Sequence, residues 1–260
     1  MTPPRVREPL PTCVQGLEPL PNGYHAALGA GLEAAGAAGL DENRLAAIAD
    51  HVRLLLSWNA AINLTGIREP EAIAREHVLD SLAALMLLRR AAIDEFVDLG
   101  SGGGYPGLPL AIALPATRAV LVESVGKKAR FLATAVEAVG VADRVAVAPI
   151  RAESLAADPL HRGRWQAVLA RAVADLTELA ELSLPLLQHG GLLVAWKSLP
   201  LDAELARAER AVPRIGGRLA GWEHVTVPGL EDHVLAVVEK VAATPPEFPR
   251  DPAARRRRPL

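Results

Sequence analysis

Residues 98–107 read Asp98-Leu99-Gly100-Ser101-Gly102-Gly103-Gly104-Tyr105-Pro106-Gly107, directly after the apolar pair Phe96-Val97. The stretch predicts that a strand ends at an acid and passes through a turn of small residues into an apolar helix near Pro109. Glycine adopts positive φ without strain and lets backbone N–H groups approach a ligand closely. An acid and a glycine turn after a first parallel strand are typical of the ligand crevice of a doubly wound α/β fold.

The next predicted strand, residues 119–122, ends at Glu123, which lies 23 residues after Gly100. A carboxylate at about this distance holds the ribose in nucleotide-binding folds. The glycines fall at positions 100, 102, 104 and 107, so the dinucleotide spacing G-x-G-x-x-G is not met. Pro106 also removes an N–H that a pyrophosphate would bind. The pattern therefore indicates a nucleoside-containing cofactor and favours S-adenosyl-L-methionine over a nicotinamide dinucleotide.

Composition restricts the function further. Half of the 260 residues are hydrophobic, which is enough for a substantial core. Cys13 is the only cysteine, which excludes an internal disulfide and a cysteine-based zinc site, and the seven histidines show no metal-ligand spacing. The sequence shows no signal peptide and no apolar run long enough to span a bilayer. We therefore expect a cytoplasmic protein without a metal, and we expect it to be a monomer.

The charge is distributed unevenly along the chain. The net charge is −2, but residues 240–260 alone carry six basic and two acidic side chains, so this tail is +4 and the remainder −6. An acidic body with a basic tail is compatible with a nucleic-acid partner. The run Arg255–Arg258 is equally compatible with a solvated, disordered tail.

The chain divides into four segments with different sequence patterns. Residues 1–23 contain six prolines and are predicted to be a disordered leader. Apolar residues at helical spacing predict an N-terminal helical extension over 24–92, with Asp41 as the N-cap of its main helix. Residues 93–241 alternate between strand and helix patterns, and residues 242–260 form the basic tail, which is predicted to be disordered.

The alternation over 93–241 predicts a parallel sheet that is covered by helices on both faces. The last two predicted strands, near 218–224 and 234–239, are joined by a short turn at Pro228-Gly229, so they are expected to pair antiparallel. The predicted fold class is α/β. Seven strands with a final hairpin suit the Rossmann-like sheet of class I methyltransferases.

Several further motifs occur in order between residues 40 and 240: Asn63-Leu64-Thr65-Gly66-Ile67, His77, Asp80-Ser81-Leu82, Lys127-Lys128, Phe131-Leu132, Arg151-Ala152-Glu153, Arg171-Ala172-Val173-Ala174, Gly190-Gly191 and Lys197. Together with the glycine turn, they make the chain resemble the ribosomal RNA small-subunit methyltransferase G family, also called glucose-inhibited division protein B. The resemblance implies that S-adenosyl-L-methionine methylates N7 of one guanine in 16S ribosomal RNA. The partner would then be 16S rRNA or the small ribosomal subunit.

The resemblance also assigns roles to residues. Cofactor contacts fall on Gly100 and Tyr105 in the loop, on Ala152 and Glu153 beside the adenine, and on Arg171 where cofactor and target base meet. The predicted cofactor set also includes Asp98, Gly102, Gly104 and Glu123. Arg171 and Lys197 are expected to position the reactants, and no general base is assigned. Candidate RNA contacts are Arg151, Lys197, Arg255, Arg256, Arg257 and Arg258.

Some positions depart from the family pattern. Ala170 stands where serine or threonine is frequent, and Ser198 follows Lys197 in place of glycine. Asp232-His233 stands where an arginine is common before the last strand, so the resemblance does not assign the RNA or phosphate contact at this position, while the cofactor site is untouched. Two other functions fit the nucleotide-site pattern: a class I methyltransferase acting on a small molecule or a protein, and a non-catalytic nucleotide-binding regulator.

Overall fold

The computed structural model describes residues 10–260, and the first nine residues of the predicted leader lie outside it. Within this range the chain forms one seven-stranded sheet in the order β3-β2-β1-β4-β5-β7-β6. Strands β1 to β5 are parallel, and β7 pairs antiparallel with both β5 and β6. The strands are β1 (Glu95–Leu99), β2 (Arg118–Val122), β3 (Val145–Ala148), β4 (Trp165–Arg171), β5 (Leu187–Ser198), β6 (Gly217–His224) and β7 (His233–Lys240). The predicted fold class and the final antiparallel pair are confirmed.

The central strands are apolar because helices cover both faces of the sheet. In β4, residues 167–170 are fully buried, and their side chains alternate between two cores. Leu169 belongs to the core under the N-terminal helices, whereas Val168 and Ala170 belong to the core on the other face. This alternation is the two-residue period of a strand.

The helices form two layers. The first layer packs α1 to α5 with α6 and α7, and the second contains α8, α9 and α10. The helices are α1 (Asn22–Gly31), α2 (Glu42–Ile62), α3 (Pro70–Ile73), α4 (Asp80–Leu82), α5 (Leu85–Arg90), α6 (Gly107–Ala113), α7 (Gly126–Ala138), α8 (Ala152–Ala157), α9 (Leu176–Ser183), α10 (Asp202–Ala211) and α11 (Pro252–Arg257). The helical extension therefore shares a core with the sheet and does not fold as a separate unit.

Helix α2 begins and ends where the sequence predicts, but the helical segment after it does not. The Asp41 carboxylate accepts the Arg44 N–H at 2.9 Å, as its N-cap role requires, and Asn63 ends α2 at φ 52°. Pro70 and the pattern after it predict one helix over 71–88, but the structure interrupts this helix with a π-helical turn, Ala74–Leu79, between α3 and α4, and again between α4 and α5. In this turn the Asp80 N–H bonds to the Arg75 carbonyl, five residues back, and the Glu76 carbonyl is left for another donor.

The leader is ordered where the structure describes it. The Trp58 indole N–H donates to the Pro11 carbonyl at 2.8 Å, and the Arg53 guanidinium donates to the Glu18 carbonyl at 3.0 Å. Leu20 is buried against the first core. The prediction of disorder is therefore wrong for residues 10–23, because side chains of α2 satisfy the backbone of this proline-rich segment.

The prediction of a disordered tail over 242–260 is also wrong. Its last part forms the short helix α11, and the Asp251 carboxylate accepts the N–H groups of Ala253 and Ala254 at its start. Phe248 is buried in the second core, and the Arg162 guanidinium donates to the Phe248 carbonyl at 2.9 Å. An apolar anchor and backbone hydrogen bonds therefore fix this segment against the sheet domain.

Candidate active site

The glycine turn after β1 is tied to the end of β2. Both the Gly100 and the Ser101 N–H donate to the Val122 carbonyl, at 2.9 and 3.0 Å. The Glu123 carboxylate accepts the Gly102 N–H at 3.1 Å and the Val125 N–H at 2.7 Å. The acid predicted from its distance to the turn therefore holds the turn directly.

Two glycines of the turn meet a steric requirement as well as a conformational one. Gly100 has φ +73°, and a Cβ there would lie 2.8 Å from a methyl group of Val173. Gly104 has φ +91°, and a Cβ there would lie 2.8 Å from Nε2 of His51. Only glycine fits these positions without a shift of the neighbouring side chain.

A first cavity of about 280 Å³ opens beside the turn at the carboxyl edge of the sheet. Four of the predicted cofactor residues line it, namely Gly100, Glu123, Ala152 and Glu153. Three of the arginines that the sequence predicts to bind RNA also line it: Arg151, Arg255 and Arg256. The apolar wall residues Ile150 and Pro252 carry no sequence signal that would have found them, whereas Val173 belongs to the motif over 171–174 but is assigned no role by it.

A second cavity of about 410 Å³ lies on the other side of Ala174, which lines both cavities. Arg171 and Lys197 line it from the ends of β4 and β5. His77 and Asp80 reach it from the helical extension, and His233 from the start of β7. The carboxyl edge of the sheet thus has two adjoining cavities, an arrangement that can hold two reactants next to each other.

Arg171 is held by the helical extension. Its Nη1 donates to the Asp80 carboxylate at 2.8 Å and to the Glu76 carbonyl at 3.0 Å. This is the carbonyl that the π-helical turn leaves free. Nη2 lies 3.1 Å from Nδ1 of His77, and the guanidinium carbon is 5.4 Å from the centre of the Tyr105 ring. These contacts fix Arg171 in one orientation.

His77 is neutral in this arrangement. Burial and the nearby Arg171 charge lower the pKa of His77 to about 4. A guanidinium only donates hydrogen bonds, so Nδ1 of His77 accepts from Arg171 when Nε2 carries the proton; in the other tautomer Nδ1 would donate to the Glu76 carbonyl, 3.2 Å away. Nε2 lies 2.6 Å from the Thr65 hydroxyl. His77 and Asp80 therefore tie the helical extension to the sheet through Arg171.

Two residues predicted to bind the cofactor point away from both cavities. The Tyr105 side chain is buried, and its ring packs between His77 and His51, each 4.7 Å away between ring centres. Asp98 is also fully buried, and its carboxylate accepts the Gly107 N–H at 3.1 Å, beneath the turn. Burial raises the pKa of Asp98 to about 6. Asp98 therefore stabilises the loop, and the Tyr105 ring packs against Arg171. Neither side chain makes the cofactor contact that was expected of it.

The candidate RNA contacts separate into two groups. Lys197 donates to the Ala174 carbonyl at 2.6 Å and pairs with Glu204 at 2.5 Å, so its charge is neutralised. Arg255 is only 8% exposed, and it pairs with Glu153 and Glu178. The structure therefore contradicts an RNA contact for Arg255. The exposed candidates are Arg151, Arg256, Arg257 and Arg258.

His233 stands at the start of β7, where the family pattern has arginine nearby. Its Nδ1 lies 2.9 Å from Oδ1 of Asp80, whose other oxygen accepts from Arg171. The hydrogen bond to Asp80 raises the pKa of His233, and partial burial opposes this effect. When it is protonated, His233 therefore supplies a second cation that faces the buried Asp80 carboxylate.

This pair predicts a pH-dependent contribution to stability. The folded-state pKa of His233 lies above its ordinary value of 6.5, so its charge stabilises the fold fully below pH 6.5. The contribution is lost as the pH rises through the raised pKa. Denaturant unfolding of the wild type and of His233→Gln should therefore show a stability difference that shrinks with increasing pH. A difference that is constant with pH would contradict the assignment.

The sheet order defines a fold class, the Rossmann-like fold that class I methyltransferases share. An O-methyltransferase from Bacillus cereus in complex with SAH has a TM-score of 0.54 at 16% identity, and the match covers 84% of this chain and all of that one. The S-adenosylmethionine-dependent methyltransferase SibL has a TM-score of 0.52 at 15% identity, over 77% of this chain and 70% of that one. At these identities the likeness is one of fold.

Sequence comparison identifies the family. The family model for rRNA small subunit methyltransferase G matches residues 44–226. A protein of that name from Roseiflexus sp. (strain RS-1) is 42% identical over 221 residues, which cover 85% of this chain and 94% of the relative. Its counterpart from Rubrobacter xylanophilus is 43% identical over 213 residues, covering 80% of each chain. The chain belongs to the rRNA small subunit methyltransferase G family, which confirms the family and the enzyme class predicted from the motifs.

Residues 10–260 contain neither a metal-binding cluster nor a membrane-spanning helix. No group of three or more histidine, cysteine, aspartate or glutamate side chains in this range has an arrangement suited to a metal ion. Among the helices of the same range, none is long and apolar enough to cross a membrane.

Proposed function

We propose that the protein transfers the methyl group of S-adenosyl-L-methionine to N7 of one guanine in 16S ribosomal RNA. The observation that carries the proposal is the pair of adjoining cavities, one lined by Gly100, Glu123 and Glu153 and the other by Arg171. The family supports an RNA of the small ribosomal subunit as the substrate. We further propose that residues 93–241 form the catalytic domain, and that the enzyme acts as a cytoplasmic monomer.

The residues of the first cavity fit the cofactor. Gly100 lines it with no side chain, so a ligand can approach the backbone closely. Glu123 accepts two backbone N–H groups, and a carboxylate has about four lone-pair sites, so acceptors remain for two ribose hydroxyls. Ala152 and Glu153 begin α8 at the opposite wall, where they would flank the adenine.

When bound, S-adenosyl-L-methionine would supply an electrophilic sulfonium methyl group. Guanine N7 has a lone pair and no proton near neutral pH, so we assign no general base. The protein has to hold N7 in line with the methyl carbon at about 3 Å. Arg171, fixed at the wall of the second cavity, would orient the guanine or the cofactor carboxylate through its planar guanidinium.

The charge balance at Arg171 also suits this reaction. The guanine ring gains positive charge as it is methylated, and an uncompensated arginine nearby would oppose that change. Asp80 pairs with Arg171 at 2.8 Å, and its side chain is only 2% exposed. The carboxylate therefore offsets the guanidinium charge near the reacting base.

The exposed arginines at the rim would contact phosphate. In an A-form helix the N7 edge lies in a deep, narrow groove that side chains cannot reach, so the target guanine should be in a loop or a distorted segment. Arg151, Arg256, Arg257 and Arg258 are exposed close to the first cavity. They are the cations that we propose for phosphate contacts.

The decisive experiment is methyl transfer from labelled S-adenosyl-L-methionine to small ribosomal subunits, followed by mapping of N7-methylguanine in 16S rRNA. A strain that lacks this chain should lose one such modification, and the purified protein should restore it. Transfer only to a small molecule or a protein would support the alternative methyltransferase. Cofactor binding without any transfer would support the regulatory alternative.

Substitution of Glu123 by alanine should weaken cofactor binding. Each hydrogen bond to a charged group contributes about 1.5–3 kcal/mol, so the loss of the ribose contacts should lower the affinity by tenfold or more. Calorimetric titration with S-adenosyl-L-homocysteine measures this loss. The control is Glu123→Gln, which keeps an acceptor oxygen and should lose less. Tighter binding of NAD than of the methyl donor by the wild type would refute the cofactor assignment.

A further inference from the structure

The carboxyl-terminal segment 244–260 is attached to the sheet domain by buried contacts. The Glu181 side chain is 1% exposed and accepts the Arg250 guanidinium at 2.8 and 2.5 Å, and the Arg250 backbone N–H at 2.8 Å. Arg162 donates to the carbonyls of Pro245 and Phe248 at 3.2 and 2.9 Å. These contacts place the segment in one position relative to the first cavity.

Within this segment, Arg255 has a partner for each of its guanidinium nitrogens. Nη1 donates to the Arg250 carbonyl at 2.7 Å, Nε donates to the Glu178 carboxylate at 3.1 Å, and Nη2 pairs with Glu153. Its side chain is 7% exposed. The three guanidinium nitrogens thus bind three separate acceptors, an arrangement that the single nitrogen of a lysine cannot reproduce.

The partner Glu153 is one of the residues that line the first cavity, together with Pro252 and Arg255 itself. Arg255 therefore reaches the cavity wall from outside and contacts a carboxylate placed beside the expected adenine. Burial by itself would raise the pKa of Glu153, but the hydrogen bond and the charge of Arg255 hold it below its usual value. Glu153 is consequently an ionised acceptor next to the cavity.

We propose that Arg255 is a positioning residue of the cofactor site, which holds the Glu153 carboxylate where it accepts the 6-amino group of adenine. This inference rests on the proposed placement of S-adenosyl-L-methionine in the first cavity. The tail then has two parts with different tasks. Arg255 faces inward and completes the cofactor wall, while Arg256, Arg257 and Arg258 remain outside for phosphate.

Calorimetric titration with S-adenosyl-L-homocysteine tests the proposal on the full chain. Arg255→Ala should weaken binding by about tenfold, the size expected when one charge-assisted hydrogen bond is lost. The matched control is Arg218→Ala, which removes an exposed ion pair with Glu239 on β6 and β7. The control should bind within about twofold of the wild type. Arg255→Lys should recover only part of the affinity, since it cannot keep all three contacts.

A second measurement separates positioning from a general structural role. S-inosyl-L-homocysteine carries a carbonyl in place of the 6-amino group, so Glu153 should discriminate strongly against it. Arg255→Ala should lower the affinity ratio of the two ligands towards one, whereas a merely loosened fold would weaken both ligands equally. In a Glu153→Gln background, the Arg255 substitution should have little further effect on the ratio.

The outcomes are distinguishable. If the wild type binds no S-adenosyl-L-homocysteine, the proposed function fails. If the wild type binds and Arg255→Ala keeps both the affinity and the ligand ratio, the inference about Arg255 fails while the proposed function stands. If Arg255→Ala melts below the assay temperature, Glu153→Gln with an unchanged ligand ratio would overturn the inference.

Discussion

Arg171→Ala should lower the single-turnover rate of methyl transfer to small ribosomal subunits by about 100-fold or more. Displacement of a positioning group by about 1 Å can cost 100-fold in rate. The same substitution should also reduce stability by on the order of 3 kcal/mol, because the buried Asp80 carboxylate loses its guanidinium partner and keeps only His233, which is charged only when protonated. The sequence alone does not predict this stability loss, since the Asp80 contact is visible only in the structure.

Two further variants separate the rate effect from the stability effect. Arg171→Lys keeps a charge near Asp80 but not the simultaneous contacts to the Glu76 carbonyl and His77, so it should recover stability better than rate. Arg171→Ala combined with Asp80→Asn removes the isolated carboxylate and should melt higher than Arg171→Ala alone. Thermal melts and single-turnover rates below the melting range provide the comparison. Near-normal turnover of Arg171→Ala would make Arg171 a purely structural residue.

Gly102→Val should abolish cofactor binding and leave the protein folded. Gly102 has φ +54°, and a β-branched residue in this region costs about 1–3 kcal/mol, a strain that the turn can relieve by moving. Such a movement breaks the Gly102 N–H bond to Glu123 and displaces Gly100 from the cavity wall. Calorimetry with S-adenosyl-L-homocysteine should therefore detect no binding, while the far-UV spectrum and the cooperative melt are retained.

The matched control is Gly140→Val. Gly140 has φ +71°, and a Cβ at this position would meet no heavy atom of residues 10–260 within 4 Å apart from its immediate neighbours, so the variant carries the same backbone strain. It lies beyond the far end of α7, about 20 Å along the helix from the cavity side. Gly140→Val should lower stability and keep the cofactor affinity. If both variants lost cofactor affinity equally, the loss would come from backbone strain in general and not from a change in the cofactor-binding loop.

The parts of the site that could be predicted from the sequence are those with local signals. The glycine turn and Glu123 follow from spacing along adjoining strands, and the structure brings both to the first cavity. The strands follow from runs of apolar residues such as 167–170. The side-chain directions of Asp98 and Tyr105 could not be predicted, because burial beneath the loop is decided by packing on His51, His77 and the start of α6.

The tail shows why composition alone misleads. An arginine-rich run is typical of a solvated segment, and the sequence near it offers Asp251 as an acidic partner. The carboxylates that hold Arg255 are Glu153 and Glu178, which are 102 and 77 residues away along the chain. Such distant pairs leave no periodic or local pattern, so only the folded structure reveals them.

Because of the π-helical turn before Asp80, the geometry around Arg171 depends on the number of residues in the segment Ala74–Leu79. Ala74–Leu79 contains one residue more than an α-helical path between the same ends would need, and this surplus exposes the Glu76 carbonyl to Arg171. Removal of one residue there would restore ordinary α-helical bonding between the same ends, and the Glu76 carbonyl would then accept a hydrogen bond within the helix. The number of residues in this segment therefore decides whether Arg171 keeps this backbone acceptor.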